Sequence, residues 1–120
     1  MRLIDANVAL RYILNDHEAL AKAAHEVIDN EMVMLRIEVA AEVVYVLSDV
    51  YQVNRKDTAD TLQDFLDSDH VTSNHPDALV AALRFYADTR LDFIDCILLA
   101  FHIIEGWNVV TFDKKLGKLL

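Results

Sequence analysis

Short apolar runs and longer amphipathic stretches alternate along this chain, and that alternation limits its fold more than any other feature. Arg2–Ile4, Met32–Leu35, Val71–Thr72 and Val109–Phe112 are too short for helices and read as buried strands. Between them apolar residues recur at three and four: Leu20, Ala23, Ala24, Val27 and Ile28 in one stretch, Val39, Val43, Val46, Leu47 and Val50 in another. Further helices are predicted over Ala6–Leu14, Thr58–Leu66, from Pro76 through Tyr86, over Asp92–Glu105 and over Lys114–Leu120. Gly106, Gly117 and Pro76 are the only Gly and Pro residues, so short polar turns such as Asn15-Asp16 and Asn54–Asp57 must join the elements. Strand and helix in alternation predict a parallel sheet wrapped by helices, with the working crevice at the carboxyl ends of the strands.

At 120 residues the chain suits a single domain, residues 1–120. Hydrophobic residues at 54% exclude a disordered chain, yet Glu, Asp, Ser and His break every apolar run well short of a membrane span. The opening MRLIDANV has one Arg and then an Asp, so no signal peptide is expected. The lone Cys96 cannot pair internally and lies in an apolar helix without an obvious base; it reads as a core residue in a reducing cytoplasm. The net charge of −9 excludes nucleic-acid binding by bulk electrostatics. It leaves room for a nuclease that meets phosphate through a metal ion and a few local Lys or Arg residues.

Carboxylates stand at the ends of the elements just described. Asp5 closes the first strand, Glu42 lies mid-helix, Asp92 and Asp95 open a later helix, and Asp113 follows the last strand. Each has a bland role: Asp5, Asp92 and Asp113 are good N-caps, and Asp95 suits the positive end of a helix. Glu42, flanked by Val39, Val43 and Val46, is expected to be costly to ionise where it stands. Asp92 and Asp95 are about 60° apart on one helical face. Carboxylates gathered in one pocket repel unless protonated or bound to a cation, and oxygen-only ligation favours Mg²⁺ or Mn²⁺ over zinc. The five His residues show no HExxH pattern, and no Gly-rich phosphate loop or GxSxG elbow is present.

The segments LIDANVALRYIL, EVAAEVVYVL, LDFIDCILLA and NVVTFDKKL together resemble the PIN domain, in its VapC-type toxin branch. The likeness runs from Met1 to about Leu119. It implies a three-layer α/β/α sandwich around a central parallel sheet of four to five strands, with Mg²⁺-dependent ribonuclease activity, a homodimer and a cognate antitoxin. By position it assigns Asp5, Glu42, Asp95 and Asp113 as catalytic and metal-binding acids, adds Asp92 as a less uniform ligand, and sets Asn7 and Thr111 beside them. Arg36-Ile37 departs from the pattern, because a Ser or Thr cap is usual ahead of the glutamate helix.

The expected chemistry is hydrolysis of an RNA phosphodiester. Asp5 and Asp95 are first choices for direct ligands, Glu42 for handling the attacking water, and Lys114 and Lys115 for steering the phosphate backbone. The alternative is a catalytically inactive binding module of the same fold. A haloacid-dehalogenase site would need a second Asp where Asn7 stands. Apolar residues around Val8–Leu14, Leu20 and Val44–Leu47 exceed what one small core needs, and are expected to form an antitoxin groove or dimer seam.

Overall fold

A computed structural model describes residues 1–120. Strand β1 (Arg2–Leu3) ends at Asp5, whose carboxylate accepts the Val8 amide at 2.9 Å and starts helix α1 (Ala6–Leu14). Asn15, in the left-handed region at φ 52°, stops α1. Helix α2 (Glu18–Ile28) then leads to β2 (Val33–Met34) and α3 (Ile37–Tyr45), which runs on through one wide π turn, Val46–Val50. Helix α4 (Arg55–Asp67), β3 (Val71–Thr72), α5 (Pro76–Asp88), α6 (Phe93–Glu105) and α7 (Lys114–Gly117) complete the chain. Pro76 takes the first turn of α5, where its missing N–H costs nothing, and Gly106 ends α6 at φ 78°.

The sheet is parallel in the order β1-β2-β3, with Arg2 opposite Val33 and Val33 opposite Val71. Helical pairs cross between the strands, as parallel pairing demands. Val33 and Leu35 are fully buried between these helices, with Leu62, Leu79 and Leu83 beside them in one continuous core. The α5–α6 hairpin makes the most extensive packing in the molecule.

This is a helix-rich α/β fold, and it forms three strands where four to five in a full sandwich were expected. Val109–Phe112 has no regular structure and joins no ladder. Its backbone amides find no backbone acceptor, while Thr111 turns its hydroxyl onto the Asp113 amide at 3.0 Å. Val109 and Thr111 face inward; Val110 and Phe112 face water at 92% and 101% exposure. The outer edge of β1 is unpaired as well, and Leu3 is 66% exposed, so only Ile4 of the first run is buried. Helix α4 begins at Arg55, ahead of Thr58, because Asn54 caps it by accepting the Asp57 amide at 2.8 Å. Helix α7 stops at Gly117, short of the expected Leu120.

The irregular start of α3 has a physical answer. Arg36 supplies no side-chain cap; Asn74, just past β3, accepts the Ile37 amide at 2.9 Å instead. The apolar surplus near the N-terminus is largely consumed internally. Leu10, Val44 and Leu47 are buried, and Val8, Tyr12, Ile13 and Leu14 pack partly against the core. Among the residues expected to form a seam, Leu20 and Tyr45 remain exposed.

Candidate active site

Helix α6 begins where the α5–α6 turn delivers Asp92 to its N-cap position. Unlike Asp5 and Asp113, Asp92 makes no side-chain capping bond, so its carboxylate is uncommitted. Asp95 lies in the first turn of the same helix and is half-buried. Burial pushes the Asp95 carboxyl above the ordinary aspartate value, and the charges of Asp113 and Asp92 push it further in that order. None of the three is ion-paired to a Lys, Arg or His. Asp95 therefore feels two like charges with no counter-charge to offset them.

Asp113 reaches this region because the chain leaves Gly106 and runs back beside α6. Its carboxylate accepts the Leu116 amide at 2.8 Å as N-cap of α7, and Leu116 is fully buried, which pins the segment's end to the core. The bland capping roles of Asp5 and Asp113 are therefore real. Each uses one oxygen for the cap and leaves the second without a partner.

The structure does not close Asp5 and Glu42 onto the trio. Neither contributes to the field at Asp95, and no three acidic, His or Cys side chains converge tightly enough to hold an ion unaided. Glu42 is exposed on α3, contrary to the expectation of a costly buried charge. Val43 is buried and Val39 and Val46 are half-buried, but one step along a helix turns the side chain by about 100°, which carries Glu42 to solvent. Asn7 is exposed in the first turn of α1, and Thr111 serves the Asp113 amide. His102 stands at the far end of α6, with its Nδ1 2.8 Å from the Trp107 carbonyl oxygen.

Beside Asp92 and Asp95 opens a cleft of about 460 Å³, walled by Tyr45, Ser48, Asp49, Arg55 and Tyr86. These residues were not legible in the sequence, because they meet only in three dimensions. Arg55 organises them. Its Nε donates to the Tyr86 carbonyl at 2.8 Å, a second nitrogen donates to the Leu91 carbonyl, and its guanidinium lies 3.7 Å from the Tyr86 ring centroid. Ser48 shares a 2.7 Å hydrogen bond with the Tyr86 hydroxyl and ties the π turn to α5. The only local signal was polar residues flanking the Val46–Val50 stretch. A π turn against a cleft is a common setting for function.

Cys96 is fully buried one residue past Asp95, and burial pushes its thiol up to about 11, so it is a core group and no nucleophile. The donor set of Asp92, Asp95 and Asp113 is oxygen-only, unpaired and partly desolvated. That chemistry fits a hard cation of the Mg²⁺ type, which takes one or two carboxylates directly and keeps several waters.

Comparison with known families gives one match: the PIN domain, over residues 2–119. No curated protein and no solved structure matches the chain. No helix is long and apolar enough to cross a membrane.

Proposed function

Since the chain belongs to the PIN domain family, whose members are generally nucleases acting on nucleic acids with divalent metals, we propose that it is a Mg²⁺-dependent endoribonuclease. In this reading it hydrolyses RNA phosphodiester bonds in the cytoplasm, as the toxin of a toxin–antitoxin pair and as a homodimer. The observation that carries the chemistry is the pair Asp92 and Asp95 lining the α6 cleft, neither of them ion-paired, with the charge of Asp113 acting on Asp95.

Asp95 and Asp92 would hold the ion from the start of α6, with Asp113 approaching from the returning segment. Asp5, just past β1, and Glu42, in the middle of α3, would have to move in to join the acidic set when the ion and RNA bind. A bound Mg²⁺ supplies a water of lowered pKa and neutralises charge that develops on the phosphodiester oxygens. Glu42, exposed and free of ion pairs, would be the group that orients an attacking water and takes its proton. Lys114 and Lys115, both exposed beside Asp113, steer the phosphate. The Arg55 clamp fixes the turn that presents Asp92, so the acids keep their positions while a polyanion approaches.

The deciding experiment is cleavage of an end-labelled RNA by chain freed of metal with chelator, then resupplied with Mg²⁺ or Mn²⁺. Cleavage should appear only on resupply, and Asp5→Asn or Asp95→Asn should each lower it by at least about 10²-fold. Cleavage in chelator, or variants as active as the parent, would overturn the proposal; no cleavage at all would favour the binding-module reading. Co-purification with the product of a small neighbouring reading frame tests the toxin role.

A further inference from the structure

The segment from Trp107 to Phe112 is the least explained part of the surface. It has no regular structure, forms no ladder, and turns Val110 and Phe112 to water. Trp107 is 63% exposed, and with Leu98, Phe101 and Val109 it borders a cleft of about 520 Å³ between α6 and the segment. An isolated exposed aromatic is unremarkable, but this one has a specific neighbourhood. Phe112 directly precedes Asp113, whose charge acts on Asp95, and Lys114 and Lys115 follow at once.

The charge distribution points the same way. From Trp107 to Leu120 one Asp faces three Lys, a net +2 in a chain whose total is −9. Lys114, Lys115 and Lys118 are exposed and form no ion pair, although acidic residues outnumber basic ones by 20 to 11. A small positive patch beside exposed rings, on an otherwise acidic molecule, complements a polyanion with flat, unpaired faces. A duplex hides those faces within its stack; a single strand offers them.

We infer that Phe112 and Trp107 are stacking platforms for unpaired bases, and that with Lys114 and Lys115 they lead a single-stranded RNA into the acidic site. The inference rests on the nuclease reading and deepens it. Five residues separate the two rings, and a chain of that length reaches at most about 17 Å, room for them to hold different nucleotides of one strand. A base on Phe112 sets the adjoining phosphate beside Asp113 and Asp95, with the lysines on the backbone. The platform therefore selects for strandedness, and the acids act on what it holds.

Trp107 is the only tryptophan, so its emission reports the platform directly. The full-length chain, in chelator and carrying Asp95→Asn to prevent cleavage, is titrated with a short single-stranded RNA and with a duplex of the same sequence. The single strand should quench Trp107 and bind at least about tenfold tighter than the duplex. Phe112→Ala should weaken it by about tenfold and Phe112→Tyr should restore it, as expected for one stacked base. The Phe112 side chain is fully exposed, so these variants keep the fold. Replacing both Lys114 and Lys115 with Gln should flatten the slope of log K against log salt by about 1.4.

Equal affinity for single strand and duplex, or full affinity in Phe112→Ala, would overturn the inference. So would Trp107 emission that ignores RNA but shifts with protein concentration and loses that shift in Phe112→Ala, which would make the segment a contact between copies. The two readings fail separately. Quenching without metal-dependent cleavage removes the nuclease and keeps the platform; undiminished cleavage by Phe112→Ala does the reverse.

Discussion

Removing the Arg55 guanidinium should show how far the acidic site depends on a single clamp. Arg55 begins α4 and reaches the carbonyls of Tyr86, at the end of α5, and Leu91, in the turn that delivers Asp92. Hydrogen bonds from a charged donor contribute about 1.5–3 kcal/mol each, and the ring contact adds about 0.5–1 kcal/mol. Arg55 is half-buried, so water replaces part of what is lost and the lower ends apply. Arg55→Ala should therefore cost about 3 kcal/mol, out of a total stability of about 5–15 kcal/mol for a domain of this kind. In thermal melts that is a fall of about 10 °C with the chain still folded. Arg55→Lys keeps the charge but loses the planar fork, one of the two carbonyls and the stacking, so about half the loss should remain. Urea titration of the three proteins at constant m gives the free energies directly. A cost for Arg55→Ala below about 1 kcal/mol, or a Lys variant as stable as the parent, would refute the clamp.

Asp95 makes stability depend on pH in a definite sense. Its carboxyl lies above the ordinary value of 3.8, first through burial and then through Asp113 and Asp92, so the folded chain holds that proton more tightly than the unfolded chain. The resulting stabilisation is complete below 3.8 and is lost as pH rises through the raised value. Asp95→Asn should therefore melt higher than the parent at pH 7, with the advantage shrinking at acid pH; parallel melts with no difference at pH 7 would sink this. Millimolar Mg²⁺ should raise the parent's melting temperature and leave the variant's nearly unchanged. Leu116→Ala removes the fully buried anchor of α7 and should cost about 2–4 kcal/mol of docking. It should also let the Asp95 carboxyl drift back toward its usual value as Asp113 moves off, which carboxyl NMR would read; an unmoved Asp95 titration would mean that α7 is held some other way.

The helices and the parallel character of the sheet were legible because both follow from local patterns. Alternating short apolar runs and helical periodicity predicted α1, α2, α5 and α6 closely, and Pro76 and Gly106 mark their boundaries as stop and start rules require. Val109–Phe112 shows where such reading ends. Its residues have every local property of a strand, but a strand exists only when another edge accepts its amides, and that is a fact of assembly. Glu42 shows the converse error, since apolar neighbours in sequence are not neighbours around a helix. Asp92, Asp95 and Asp113 could be found from their element ends. Arg55, Ser48 and Tyr86 could not, because nothing in a linear chain reveals that the start of one helix will grip the end of another.

The borrowed cap of α3 bears on the order in which this chain acquires structure. The amide of Ile37 is satisfied by Asn74, 37 residues downstream, so the helix bearing Glu42 lacks a locally encoded first turn. Nucleation is the expensive step of helix formation. It falls here to a contact that exists only once β3 has docked, and that ties the ripening of α3 to loop closure over more than a quarter of the 120-residue chain. Nascent chain emerging from a ribosome must therefore deliver Asn74 before the glutamate helix can settle, which keeps that part of the acidic set unassembled until most of the polypeptide has been made.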